Sequence, residues 1–286
     1  MIDCIWPVAT TLGEGPVWDA QARRLWFVDI KGGRLHSLTP ETGARESFEI
    51  GGNPSFALPS DQGGLVIGNR DRLLHWRRDA VTELARIPGM VATDRTNDAT
   101  VDAAGRLWFG TMDDLESTPT GQVRVYDGGT ITEAGAAAIV TNGPAISGDG
   151  RTLYHVDSLA RTIWRFDIRG GATTLFGGVP FRTFSGDEGL PDGVVVDAQD
   201  HLWVGFWAGG CARRFAPDGT LVTEVRLPCA NVTKLALGGP DLRTAYVTTA
   251  RAGLSAAELA AQPLAGGLFS FRVEVPGRVL PPVRVG

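Results

Sequence analysis

Six oxygen-bearing side chains recur along this 286-residue chain, each just ahead of an apolar run. They are Glu14 in LGEGPVW, Asn53 in GGNPSF, Asn97 in RTNDATV, Asn142 in TNGPAI, Asp192 in LPDGVVV and Asn231 in CANVTKL. Carboxylate and amide oxygens brought from several elements to one point are what a hard divalent cation requires. Each phrase alone is also an ordinary turn, because Asn and Gly accept positive φ and Asp bonds its own backbone. Six equivalent positions without a Ser, Thr or Lys among them favour the metal reading. Glu14 and Asp192 are carboxylates able to offset a divalent charge, with the amides left to complete the shell or touch a ligand. Arg95, two residues before Asn97, sits in what reads as a mouth loop. It is either a surface arginine or a group that holds an anionic or polyhydroxylated ligand.

Such an arrangement needs elements that converge, and the chain supplies them as a repeat. An apolar strand, an Asp-centred turn and a second strand with an aromatic occur as GPVWDAQARRLWFVDI, ATVDAAGRLWFGT, GPAISGDGRTLYHVD, GVVVDAQDHLWVGF and LALGGPDLRTAYVTT, with a degenerate copy in FALPSDQGGLVIGN. Aligned on the second strand, the anchors are Trp26, Val66, Trp108, Tyr154, Trp203 and Tyr246, separated by 40, 42, 46, 49 and 43 residues. That is the period of four-stranded propeller blades. The six oxygen donors lie 11 to 15 residues before these anchors. More strand-like sequence, such as GRLHSLTPETG and GQVRVYDGGT, follows the hairpins and supplies outer strands. The expected fold is all-β, a six-bladed β-propeller forming a single domain over 1–286. A sandwich or barrel does not require aromatics at this period. Residues 254–262 read as a short helix inserted in the last blade, and a strand around Cys4–Val8 is expected to close the ring and remove an exposed edge.

Composition narrows the function classes. Thirty-eight glycines between short apolar runs fit many turns and exclude a coiled coil or helical bundle. A formal net charge of −5 argues against nucleic acid or an anionic membrane as partner. Lys31 and Lys234 are the only lysines, and the arginines are scattered, which reads as coding bias rather than a phosphate-binding patch. Cys4, Cys211 and Cys229 form no CxxC pair, and the four histidines form no HxxxH pair. No GxSxG elbow is present. The turn residues Asp19, Asp102, Asp149 and Asp197 recur within the repeat and read as structural, His155 reads as a packing residue, and Trp207 either lines the mouth or packs. With neither a long apolar run nor a signal-peptide layout, the expected location is the cytoplasm, as a monomer or weak oligomer.

LGEGPVWD, RTNDATVDAAGRLWFGTM, TNGPAISGDGRTLYHVDS, LPDGVVVDAQDHLWVGFW and NVTKLALGGPDLRTAYVTTA occur in order. On these motifs nearly the whole chain resembles the senescence marker protein/gluconolactonase family, the regucalcin-like lactonases. Within it the chain is most similar to bacterial aldonolactonases such as xylonolactonases and arabinolactonases. The resemblance implies a six-bladed propeller with one divalent ion in its central channel, held by Glu14, Asn142 and Asp192. It implies substrate contacts from Arg95 and Asn97. Where animal relatives carry a substrate-facing Glu after GTM, strict register gives Leu115. Asp113, Asp114 and Glu116 are the candidates to replace it, and Glu116 is the residue assigned to substrate here.

The activity this implies is hydrolysis of a sugar-derived aldonolactone to its aldonic acid in oxidative sugar degradation. A divalent cation polarises a carbonyl and acidifies water. Asp192 is the candidate general base, although a ligating carboxylate is a weaker base, so activation of water by the cation alone stays open. All-oxygen ligation is compatible with Ca, Mg and Mn, and with Zn or Fe(II) if waters complete the shell. Two other readings are a phosphotriesterase-like hydrolase and a calcium-binding propeller without turnover.

Overall fold

The structure is a computed structural model and describes residues 2–78, 80–169 and 171–286. Each repeat becomes an antiparallel sheet of four strands, in sequence order in the first five, and six such sheets form a ring. The innermost strands are Gly13–Asp19, Pro54–Pro59, Asp94–Val101, Thr141–Ile146, Leu190–Val196 and Val232–Gly238. Each packs against the next, and the sixth packs against the first. Burial falls off with distance from the axis: Asp94–Val101 is buried at every residue, whereas the outermost strand Ala80–Arg86 is largely exposed. This is the β-propeller expected from the repeat. All six anchors lie on second strands, where Trp26 pairs with Val17, Val66 with Leu58, Trp108 with Thr100, Tyr154 with Ala145, Trp203 with Val195 and Tyr246 with Ala236.

The last sheet is closed by the N-terminus. Asp3–Trp6 pairs antiparallel with Leu268–Arg272 and supplies the fourth strand of the sixth blade. The closing strand begins one residue earlier and ends two residues sooner than Cys4–Val8. The added strand covers the outer edge of Leu268–Arg272, which would otherwise be unpaired. The helix in the last blade is Ala256–Ala261, started by a capping box in which Ser255 and Glu258 bond each other's backbone N–H.

Apolar side chains fill the seams between neighbouring blades. Trp18 of the first blade stacks on Tyr246 of the sixth, with centroids 5.9 Å apart, and Phe56 of the second packs near Phe109 of the third. The turn aspartates hold the hairpins: Asp102 accepts from Arg106 N–H, Arg106 Nε and Trp108 Nε1 at 2.7–3.0 Å. After the last strand the chain runs across the face of the ring where these turns lie. Ala198 N–H donates to Pro276 O, Val283 N–H to Pro59 O, and Arg284 N–H to Gly105 O, so this tail ties the second, third and fifth blades.

Two buried histidines give this scaffold an acid limit. Burial pushes both His36 and His155 down to about 4, and neither ring nitrogen of His155 has a hydrogen-bond partner. His155 is therefore a packing residue, as expected, but its polar atoms are unsatisfied. Above an unfolded-state pKa of 6.5 both imidazoles are neutral in either state. As pH falls below that value the unfolded chain takes up protons more readily, so stability declines until about pH 4. His155→Leu should remove about 3 kcal/mol of that decline. Urea midpoints measured at pH 7, 5.5 and 4 check it, and a slope equal to the parent's would contradict it.

Candidate functional site

Every innermost strand carries a β-bulge near its start, and the bulge decides which side chains face the axis. Counting back three residues from the partner of each anchor gives Glu14, Ser55, Asn97, Asn142, Asp192 and Thr233. Bulges re-aim side chains beside functional sites. At Gly15 the chain takes φ 53°, and an added Cβ would lie 3.0 Å from Ser55 O of the neighbouring blade.

Four of the six expected oxygen donors therefore share one register, and two do not. Asn53 and Asn231 stand two residues too early. Asn53 donates its N–H to Asn69 Oδ1, and its Oδ1 accepts from Arg70. Asn231 bridges rim loops, accepting from Ala208 N–H and donating to Ala252 O. The equivalent positions hold Ser55 and Thr233, and both hydroxyls are spent inside the wall: Ser55 Oγ donates to Thr96 Oγ1 at 2.7 Å, and Thr233 Oγ1 to Gly13 O at 2.6 Å. The six-oxygen ring is thus a four-residue set. The sequence spacing misled because the 11-to-15-residue window before the anchors admits residues just outside the strands, such as Asn53 before Pro54 and Asn231 before Val232, which only strand pairing separates from the inward register.

Glu14, Asn97, Asn142 and Asp192 line one cup of about 390 Å³ at a mouth of the channel, with Arg95 and Glu116 on the same wall. Arg95 is not on a loop: it lies in the strand Asp94–Val101 and is 5% exposed. A chain of hydrogen bonds runs round the cup. Lys31 Nζ donates to both oxygens of Asp114 at 2.6 and 2.7 Å, and Arg95 Nε donates to Asp114 Oδ1 at 2.5 Å. Arg95 also donates to Asn97 Oδ1 at 2.6 Å, Asn97 Nδ2 to Asn142 Oδ1 at 2.9 Å, and Asn142 Nδ2 to Ser158 Oγ at 3.0 Å. This fixes both amides, so their oxygens and nitrogens are not interchangeable.

The loop after GTM divides its labour. Asp113 is consumed by its own turn, accepting from Leu115 N–H, Ser117 N–H and Thr118 N–H, and the Ser117 bonds hold its carboxyl below the usual range. Leu115 points outward at 69% exposure. Asp114 and Glu116 face the cup. Burial opposes ionisation of Asp114, but Lys31 and Arg95 outweigh it and hold the carboxyl low. Half-buried Trp207 of the fifth blade also lines the cup, so it serves the mouth.

Electrostatically the cup is unbalanced. Glu14, Asp114, Glu116 and Asp192 face only Lys31 and Arg95, an excess of two negative charges. Burial raises the carboxyls of Glu14 and Asp192, and their neighbours add to it: Asp98 on Glu14, and Glu14 and then Asp98 on Asp192. Among the described residues no three His, Cys, Asp or Glu side chains converge as ligands. The donor set is two buried carboxylates and two oriented amides. Its chemistry fits a divalent cation held through oxygen, since two positive charges cancel the excess and relieve the burial of both carboxylates.

The comparisons with known proteins agree with this architecture. A family model for the SMP-30/Gluconolactonase/LRE-like region matches residues 12–251. The chain belongs to the SMP-30/gluconolactonase/LRE-like family. Its relatives include the 6-deoxy-6-sulfogluconolactonase of Pseudomonas putida, 34% identical over 96% of each chain. The pentonolactonase XacC of Haloferax volcanii is 34% identical over 93% of this chain and 92% of its own. Among solved structures, a calcium-binding protein, regucalcin, from Agrobacterium tumefaciens superposes with TM-score 0.94 at 27% identity, covering 98% of this chain and 96% of that one.

Two residues of this SMP-30/gluconolactonase cup, Lys31 and Ser158, were missed in sequence, and a third, Asp114, was not singled out. Lys31 sits in the turn after the second strand of the first blade and crosses to the third, which no local pattern announces. Asp114 was left among three candidates. Ser158, which holds the Asn142 amide, had no signal beyond TLYHVDS. Both lysines were dismissed as compositional accident, yet Lys31 lines the cup and Lys234 lies beneath it. Among the described residues no helix is long and apolar enough to cross a membrane.

Proposed function

We propose that this protein is a divalent-metal-dependent sugar lactonase that opens an aldonolactone to its aldonic acid in oxidative sugar degradation. The observation that carries the reading is the cup itself, where Glu14, Asn142 and Asp192 would hold the cation beside a wall of polyol-binding groups. Relatives named as a 6-deoxy-6-sulfogluconolactonase and a pentonolactonase point to the same class. A bound divalent cation supplies Lewis-acid polarisation of the ester carbonyl and acidification of water. Ca, Mn, Zn, Mg and Fe(II) all suit the donors.

The chain's own residues do the rest. Asp192 accepts the proton of the attacking water as general base. Arg95 and Asn97 orient the ring hydroxyls, and Glu116 contacts the substrate from the rim, with Asp114 beside it. The cup's volume falls within the ordinary range for small-molecule sites of ~300–1,000 Å³. The polypeptide folds as one domain and works as a monomer or weak oligomer in the cytoplasm, with no nucleic acid or membrane partner.

Acid release in a weakly buffered solution of a sugar lactone tests the reading. Purified protein should accelerate it, chelation with EDTA should abolish the acceleration, and added divalent metal should restore it. A full rate after exhaustive chelation and metal analysis would refute metal dependence. Metal binding with no lactone opening would favour a calcium-binding propeller without turnover. Hydrolysis of phosphotriesters alone would favour the phosphotriesterase-like alternative.

A further inference from the structure

Directly after the inward-facing register, the six blades carry Gly15, Phe56, Asp98, Gly143, Gly193 and Lys234. Asp98 and Lys234 belong to the third and sixth blades, opposite each other in a ring of six. They meet across the axis: Lys234 Nζ donates to Asp98 Oδ1 at 2.5 Å, and the two side chains are 8% and 2% exposed. Asp98 Oδ1 also accepts from Ala99 N–H at 2.7 Å, while Asp98 Oδ2 is buried with no hydrogen-bond partner among the described residues. The Lys234 stem lies against the backbone of Gly193, where an added Cβ would come within 2.8 Å of Lys234 Cβ, Cγ and Cδ. A second cavity of about 80 Å³ lies along the channel, lined by both charged residues and by apolar groups that include Leu58, Val194 and Leu280.

A buried ion pair is a weak source of stability, since apolar replacements are often neutral or better. Leaving one acceptor unpaired makes this pair a poorer one still. Its placement suggests another use. Asp98 follows Asn97 of the cup in its strand, and the Lys234 stem packs on Gly193, the residue after Asp192, so the two charges lie one residue below the cup and act on its carboxylates with opposite sign.

We propose that the transaxial Asp98–Lys234 pair is a charge-balancing floor that sets how tightly the cup holds a divalent cation. Asp98 deepens the negative field and Lys234 offsets it, so that the site binds a cation without becoming a trap that quenches its Lewis acidity. Both are positioning residues, acting on the cup through charge rather than by touching substrate. The inference rests on the metal-dependent reading above and adds to it a pair that no ligand motif includes.

Calorimetric titration of Ca²⁺ and Mn²⁺ into chelator-stripped protein tests it. Lys234→Met should tighten binding at least ~10-fold and Asp98→Asn weaken it at least ~10-fold, because a unit charge is removed with opposite sign inside a low-dielectric channel. The double variant should return to within ~3-fold of the parent, since removing one charge of each sign leaves the net charge of the floor unchanged and the two effects cancel. Lys234→Arg, which keeps the charge, should bind as the parent does. A merely structural floor would move both single variants in the same direction, so a shared sign, or affinities within ~2-fold of the parent, overturns the proposal. If Lys234→Met fails to fold, Asp98→Asn and the double variant decide, since a neutral pair should be tolerated in the channel. A parent protein that binds neither ion overturns the functional reading itself. A parent that binds while its variants do not differ overturns only the floor.

Discussion

Asp192→Ala lowers lactone turnover at least ~10²-fold, the low end for losing a general base, and also weakens divalent-metal binding. The size of the effect follows from placing two roles on one carboxylate. The fold should persist, because among the described residues Asp192 accepts no bond from another blade, and the blades adhere through apolar seams such as the stack of Trp18 on Tyr246. Burial and the neighbouring Glu14 raise the Asp192 carboxyl, so its charge opposes folding in metal-free protein. The thermal midpoint of the stripped variant should therefore equal or exceed the parent's. Asp192→Asn is the finer instrument, since it keeps an oxygen ligand and removes the base. Retained metal with activity lowered ~10²-fold supports the base role. Retained metal with near-full activity transfers activation of water to the cation alone. If the Ala variant keeps both metal and activity, Asp192 is a turn residue and the axial site is wrongly placed.

The ring of blades was legible because it is written as a repeat. Trp26, Trp108, Tyr154, Trp203 and Tyr246 recur at a near-constant period, and each second strand must present one large side chain to the seam beside it. Convergence of Glu14, Asn97, Asn142 and Asp192 followed from that symmetry before any contact was known. The errors lie where local geometry breaks the symmetry. Asn53 and Asn231 immediately precede the innermost strands Pro54–Pro59 and Val232–Gly238, so they looked equivalent to the donors while Ser55 and Thr233 occupied their register. Arg95 looked like a loop residue because the strand begins before the bulge, at Asp94. Long-range partners such as Lys31 with Asp114 or Lys234 with Asp98 depend on side chains crossing the channel. No periodicity in a single chain encodes that reach, although the scarcity of lysine was a signal available from composition.

Arg95→Ala is expected to lower kcat/KM about 10²-fold while metal content stays near the parent's. Arg95 is buried and makes three donor contacts: to Asp114 Oδ1, to Asn97 Oδ1 and to Thr96 O at 3.1 Å. Truncation leaves Asn97 without its orienting donor and Asp114 held by Lys31 alone. Hydrogen bonds to charged groups contribute ~1.5–3 kcal/mol each, so loss of even one aligned with substrate reaches that range. Arg95→Lys should recover only part of the loss, because an ammonium cannot span both partners in the fixed fork of a guanidinium. The metal readout separates substrate alignment from ligand support. Asn97 donates to Asn142 Oδ1 through Nδ2, on the far side of its amide from Arg95, so the Asn142 bond to Ser158 should hold that ligand in place without the arginine. If Arg95→Ala loses its metal along with its activity, the chain from Lys31 to Ser158 is one unit that supports the cation, and Arg95 must be reassigned from substrate to metal site.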